Sequence, residues 1–298
     1  MSTTQQLESF EYFKAHTEEW STKAKASGEE VVNVIEQRNQ YVLEILKERQ
    51  QTQRFLDVGC GTGDLVCAVA KQGVEAVGVD FVPDMIAKGE YQAKTEQLEH
   101  AHFHCSSIFD FPWEPLSFDL ISANGFIEYI SYDELKQFVH DAYGRLREGG
   151  SLVIGSRNRL FNLFSLNAFT LSELEEEHTQ ALLREATALA SSEPIESLFK
   201  SLRPAPLQKA NTKHPITGIE VATRFQYTPL QLMEIFMPKG FELLEIYPIH
   251  IHATPPLFKD KHPMVHASVA NLLQSYGRHH RELVPFASSF MLHFKKEV

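Results

Sequence analysis

Asp57-Val-Gly-Cys-Gly-Thr-Gly63 decides the fold. The stretch ends a short apolar run beginning at Arg54, of the kind that forms a strand buried on both faces. It is followed by residues 64–71, whose apolar spacing predicts a helix. Glycines between strand and helix let the backbone turn tightly and approach a ligand without Cβ interference. Outward from this loop the chain alternates. Strands are predicted over 75–80, 102–105, 118–123 and 151–156, and helices over 82–98 and 133–147, with a Gly149-Gly150 turn before the last strand. Strands alternating with helices of this length build βαβ units. The expected fold class is α/β, with a doubly wound, mostly parallel sheet.

On the N-terminal side, Val31, Val32, Val34, Ile35, Tyr41, Val42, Ile45 and Leu46 recur at three- and four-residue spacing, so residues 1–50 read as a helical region. Residues 51–157 read as the α/β core that carries the glycine loop. The rhythm stops after Ser156, and residues 158–225 read as a mostly helical cap insertion, including an acidic helix over 172–189. The sheet pattern resumes over 226–298, with a helix at 230–236 and strands at 241–249 and 288–295. Composition excludes several classes. With 43% hydrophobic residues the chain has ample core material, which rules out a disordered chain. Three cysteines, Cys60, Cys67 and Cys105, are too few for a disulfide framework. A net charge of −11 disfavours a nucleic-acid partner. There is no apolar run of roughly 18 residues, and the first stretch lacks the apolar centre of a signal peptide, so a cytoplasmic location is expected. Oligomeric state is not encoded in any feature of this kind.

The carboxylates around the loop narrow the ligand. A dinucleotide fingerprint places a third glycine three residues after the second; counting from Gly61, Asp64 stands there and would repel a pyrophosphate. Asp57 adds a second acid. A cationic or zwitterionic ligand suits this setting, and S-adenosylmethionine, with its sulfonium and amino acid tail, fits. Asp80 ends the next strand, where a carboxylate can grip a ribose diol.

These residues resemble those of the class I S-adenosylmethionine-dependent methyltransferases. Asp57–Gly63 is similar to the family's first motif and Val77-Gly-Val-Asp80 to its second. Asp110–Asp119 resembles the approach to the fourth strand, and Leu146–Gly150 the turn before the fifth. The likeness covers residues 10–156 well and the end from Gln226 more loosely, and lies nearest the small-molecule branch that includes quinone-type enzymes. It implies that Gly59, Cys60 and Gly61 pass under the methionine part and that Asp80 holds the ribose. It further implies that Phe81 and Met85 pack on the adenine and that Asn124 and Gly125 sit beside the transferred methyl. Ser107, followed by Ile108, stands where the family often has an acid facing the adenine amino group. The implied activity is methyl transfer to a small-molecule acceptor, at oxygen. A non-catalytic S-adenosylmethionine-binding protein and a nicotinamide-dependent oxidoreductase are the alternatives.

Candidates for chemistry are fewer. His250 and His252 near the end of a late strand, with Glu128 and Tyr129 after the fourth, are candidate bases. The quinone branch tends to show Glu-His where this chain has Glu128-Tyr129. His102, His104 and Cys105 read as strand residues, and no metal is expected. Phe161 and Phe164, in an amphipathic segment with two arginines, are candidate acceptor contacts; the segment also offers a peripheral membrane contact, against the plainer reading of a cap helix. Tyr12, Phe13 and Trp20 either close over the cofactor or staple the first helices to the core.

Overall fold

The apolar run before the glycine loop forms strand β1 (Arg54–Val58), buried in all but its first residue. In the structure, a computed structural model, residues 4–28, 30–112, 114–191, 193–208 and 225–297 are described. Six further strands follow: β2 (Glu75–Asp80), β3 (Ala101–Cys105), β4 (Phe118–Asn124), β5 (Leu146–Arg157), β6 (Phe241–Ile251) and β7 (Ala287–Lys296). They make one sheet in the order β3-β2-β1-β4-β5-β7-β6. The first five run parallel, and β7 is antiparallel to both its neighbours. The chain winds one way from β1 and then returns to β4 on its other side. A crevice therefore opens at the carboxyl ends of β1 and β4, the place where open α/β sheets take ligands.

Helices cover both faces. Before β1 come α1 (Thr4–Ala15), α2 (Thr17–Ala24) and α3 (Val34–Glu48), the last capped by the Asn33 side chain, which accepts from Glu36 N. The core helices are α4 (Asp64–Ala70), α5 (Pro83–Thr95) and α6 (Tyr132–Arg145), whose start is fixed by a reciprocal Ser131–Glu134 capping box. Alternation along the strands sorts the core into two layers. Phe55, Leu120 and Val153 face Tyr41, Val42 and Ile45 of α3 and Leu65 and Val66 of α4. Leu56, Ile121 and Leu152 face Phe138, Val139 and Ala142 of α6 on the other side.

Residues 158–208 hold four short helices, α7 (Asn162–Ser165), α8 (Ala168–Glu175), α9 (Thr179–Leu189) and α10 (Ile195–Ser201). Residues 209–224 of the expected cap lie outside the described residues. The acidic run is not one helix: it breaks at Glu177, whose φ of +59° is left-handed. The break places Glu173 over Arg159, whose fully buried guanidinium donates to both carboxylate oxygens at 2.9 and 2.7 Å. Asn162 and Gln208 donate to the same carboxylate, tying the segment together. The chain then forms α11 (Pro229–Phe236) and α12 (Pro263–Gln274), a helix that the sequence reading did not include. Gly149 and Gly150 do not separate helix from strand. They lie within β5, where the register against β4 shifts. Among the described residues no helix is long and apolar enough to cross a membrane.

Candidate functional site

A cavity of about 910 Å³ occupies the crevice. It is walled by the glycine loop, the ends of β1, β2 and β4, and the N-terminal helices. Gly59, Gly61 and Gly63 have φ of +67°, +53° and +80°, so the loop adopts a path that side chains disfavour. At Gly63 a Cβ would also run into the Phe103 ring. The loop is anchored to β2: Gly59 N donates to Val79 O at 2.8 Å, and Gly61 N donates to Asp80 Oδ2 at 3.0 Å. Asp80 Oδ1 accepts from Val82 N at 2.9 Å. The buried carboxylate is thus fixed by two backbone donors, with lone pairs left for a ligand. Burial raises its pKa, and those backbone hydrogen bonds oppose the rise.

Three polar atoms on the same wall lack partners. Asp57 Oδ1 and both amide atoms of Asn124 are buried and make no hydrogen bond. Burial, and after it the negative charge of Asp80, pushes the Asp57 carboxyl up to about 7. An unmet buried polar group costs about 1–3 kcal/mol, so this wall is built to be completed by a polar, preferably cationic, ligand. Every residue expected to touch the cofactor lines this one cavity: Asp57, Gly59, Cys60, Gly61, Asp80, Phe81, Met85, Ser107, Ile108, Asn124 and Gly125.

Among the described residues, α1 and α2 roof the cavity. Phe10 packs on Phe81 with ring centroids 5.8 Å apart, and Phe13 meets Tyr129 edge-on at 4.8 Å. Phe13 and Trp20 line the cavity, and Gln6 Nε2 donates to Glu134 Oε1 at 2.7 Å to hold α1 down. No described residue of 158–208 lines it. Phe161 instead lies 4.6 Å from the His252 ring and Phe164 4.9 Å from Phe286, ring centroid to ring centroid.

Two of the four candidate bases, Glu128 and His250, have other engagements, and Tyr129 lines the cavity. Glu128 is buried, with Arg38 Nη2 at 3.4 Å from Oε1, Arg157 Nε at 3.6 Å from Oε2, and Arg157 N donating to Oε1 at 2.7 Å. It is the counter-ion of two arginines. His250 reaches the cavity, but Nε2 meets His266 Nε2 at 2.9 Å and Nδ1 meets Ser288 Oγ at 3.1 Å. Burial holds its pKa well below the usual imidazole value. His252 does not line the cavity.

Arg38, Phe126, Arg157, Ser288 and Ser289 also line the cavity and were not among the residues read from the sequence. Arg38 left a signal: it stands three and four residues before Tyr41 and Val42, a charge on the apolar stripe of α3. Its Nη2 donates to Ser289 Oγ at 2.9 Å, and its Nε is buried without a partner.

A family model described as a methyltransferase domain matches residues 55–150, from β1 into β5. Over that stretch the chain is similar to a methyltransferase domain. Among curated relatives, a protein of Geobacillus sp. (strain WCH70) named for methyltransferase activity is 30% identical over 135 residues, covering 43% of this chain and 52% of that one. A ubiquinone biosynthesis O-methyltransferase of Coxiella burnetii is 26% identical over 148 residues, covering 49% and 59%. The chain therefore spans little more than half the length of these relatives. The fold likeness is wider: the magnesium protoporphyrin IX methyltransferase of Synechocystis PCC 6803, solved with S-adenosylmethionine, superposes with a TM-score of 0.56 at 11% identity, covering 99% of both chains. The matched region contributes the loop, Asp57, Asp80, Ser107 and Asn124 to the wall; from outside it, α1–α3 and the ends of β5, β6 and β7 add further residues.

Proposed function

We propose that this chain binds S-adenosylmethionine in the cavity and transfers its methyl group to an oxygen of a small, largely apolar acceptor. The unpartnered Asp57 Oδ1 and Asn124 amide, beside the backbone-fixed carboxylate of Asp80, carry this reading. Asp57 and Asn124 would take the ammonium and carboxylate of the methionine tail, and Gly59, Cys60 and Gly61 let it approach the main chain. Asp80 would accept from both ribose hydroxyls, a charge-assisted grip. Phe81, Met85 and Ile108 supply an apolar slot for the adenine, and Ser107 a hydroxyl near its amino group. The bound cofactor supplies an electrophilic methyl on a sulfonium.

Methyl transfer is an in-line displacement, so positioning and exclusion of water account for much of the rate. Phe10, Phe13 and Trp20 exclude water from above. The cavity is near the top of the roughly 300–1,000 Å³ range of small-molecule sites, room for a second molecule beside the cofactor. Arg38 lines the cavity, and its unmet Nε–H calls for an oxygen on the acceptor. That donor and the partial likeness to the Coxiella burnetii O-methyltransferase favour oxygen. With His250 and Glu128 engaged elsewhere, no side chain is assigned as base. The small-molecule acceptor and a cytoplasmic location belong to the same proposal.

The test is transfer of label. The purified chain is incubated with methyl-tritiated S-adenosylmethionine and fractionated small-molecule extract, and the solvent-extractable products are counted. Label in a product whose methyl is released as methanol or cleaved as an ether supports the reading. Stoichiometric cofactor binding with no transfer to any fraction would leave a binding protein.

A further inference from the structure

Beside the cavity, and used by nothing above, three histidines converge. His250 lies near the end of β6, His252 follows that strand, and His266 sits in the first turn of α12. Each is more than nine-tenths buried. Their ligand-capable nitrogens all lie within 4.8 Å of one another, and the ring centroids are 4.1, 5.1 and 4.9 Å apart. We propose that His250, His252 and His266 form a binding site for a divalent first-row transition metal ion, zinc being the ion whose geometry it fits.

Hydrogen bonding alone does not account for the cluster. A neutral imidazole has one donor and one acceptor. His250 places both nitrogens, on His266 and Ser288, but neither ring nitrogen of His252 has a partner although both are buried. A metal ion takes lone pairs from all three rings at once. Tetrahedral zinc with Zn–N of about 2.0–2.1 Å sets its ligands roughly 3.4 Å apart. The present spread, from 2.9 Å for the His250–His266 pair to the 4.8 Å limit, brackets that value, so small rotamer adjustments close the set. A set of imidazoles without thiolate or carboxylate is the ligand chemistry of zinc, copper, nickel and iron, not of magnesium or calcium.

The surroundings point the same way. Ser288 Oγ on His250 Nδ1 is the outer hydrogen bond that orients a metal-binding imidazole. His250 itself has a left-handed φ of +56°, a conformation costly for a non-glycine residue. Its N–H is held there by Gln37 Oε1 and Gln274 Oε1, each at 3.0 Å. Burial keeps all three imidazoles in the neutral, ligating form, the positive charge of Lys259 adding to that effect. Lys259 is exposed, free to swing its ammonium into water when an ion binds. Three protein nitrogens leave a fourth tetrahedral position for water or another ligand.

The experiment uses the full chain without a histidine tag, stripped with chelator and then loaded with zinc or cobalt(II). Expected are one ion per chain after gel filtration, the intense visible bands of tetrahedral cobalt, and a rise in Tm of about 5 °C at saturating zinc. His252→Ala and His266→Ala should each weaken binding at least about tenfold, whereas His102→Ala, which removes an exposed imidazole paired with Glu75, should not. Circular dichroism checks folding, and His252→Gln, which keeps the bulk and loses the ligand, replaces any alanine variant that fails it. Sub-stoichiometric retention, or retention unchanged in the folded His252 and His266 variants, overturns the site.

Discussion

Asp57→Asn should do two opposite things. In the unliganded protein the carboxyl titrates near 7, because it is buried and faces Asp80. An ammonium on Oδ1 requires the ionised form, so ligand binding pulls that pKa down. Affinity then weakens as pH falls through 7. With the carboxylate about one-eleventh ionised at pH 6 and ten-elevenths at pH 8, Kd changes about tenfold, or about 1.4 kcal/mol. Stability runs the other way. The folded pKa, about 7, exceeds the ordinary 3.8, so the folded chain binds the proton more tightly than the unfolded one. The contribution is fully present below about pH 4, is lost as pH rises toward 7, and is flat above, amounting to about 4 kcal/mol. The asparagine variant lacks this term. Relative to wild type, it should gain stability on going from acid to pH 8 while losing the pH dependence of binding. Calorimetric titration with S-adenosylhomocysteine, which keeps the ammonium but not the sulfonium, reads the first effect, and urea melts across pH read the second. A wild-type affinity flat between pH 6 and 8, or an equal slope in the variant, would refute the assignment of Asp57.

Three further outcomes are expected. Asp80→Ala should cost about 2–4 kcal/mol in S-adenosylmethionine affinity, because it removes the ribose acceptor and also frees Gly61 N and Val82 N; calorimetry on the folded variant measures it. Phe161→Ala combined with Phe164→Ala should leave cofactor affinity within about twofold of wild type while lowering stability by several kcal/mol, since both rings pack away from the cavity; matched titration and urea melts separate the two effects. Glu128→Gln should destabilise the chain by about 3–5 kcal/mol by leaving Arg38 and Arg157 without their shared counter-ion, and the urea midpoint reports it.

What the sequence made legible were the features written locally. The unbroken burial from Phe55 to Val58 marks a central strand covered on both faces, and the glycines and acids of 57–64 mark the ligand loop; Asp57, Gly59, Gly61 and Asp64 meet in one cavity as the spacing suggests. Direction is not local. The alternation of Phe290, Leu292 and Phe294 is the same whether β7 runs parallel or antiparallel, so only pairing with Val153 and Ile246 neighbours on either side reveals the reversal. The roof was hidden for a related reason. Phe10 and Phe13 cover Phe81 and Tyr129 across long sequence separations, whereas Phe161 and Phe164, equally apolar in sequence, pack on His252 and Phe286, partners nearly a hundred residues or more away that no local pattern marks. His266 belongs to a helix of which only His266, Ala267 and Ala270 are buried, so its approach to His250 and His252 had no local mark.

A crystal structure of the chain with S-adenosylmethionine tests the central claim most directly. It should show the ligand ammonium within hydrogen-bond distance of Asp57 Oδ1, both ribose hydroxyls on Asp80, and the adenine against Phe81 and Met85. Ligand bound elsewhere, with Asp57 Oδ1 and the Asn124 amide still without partners, would contradict it.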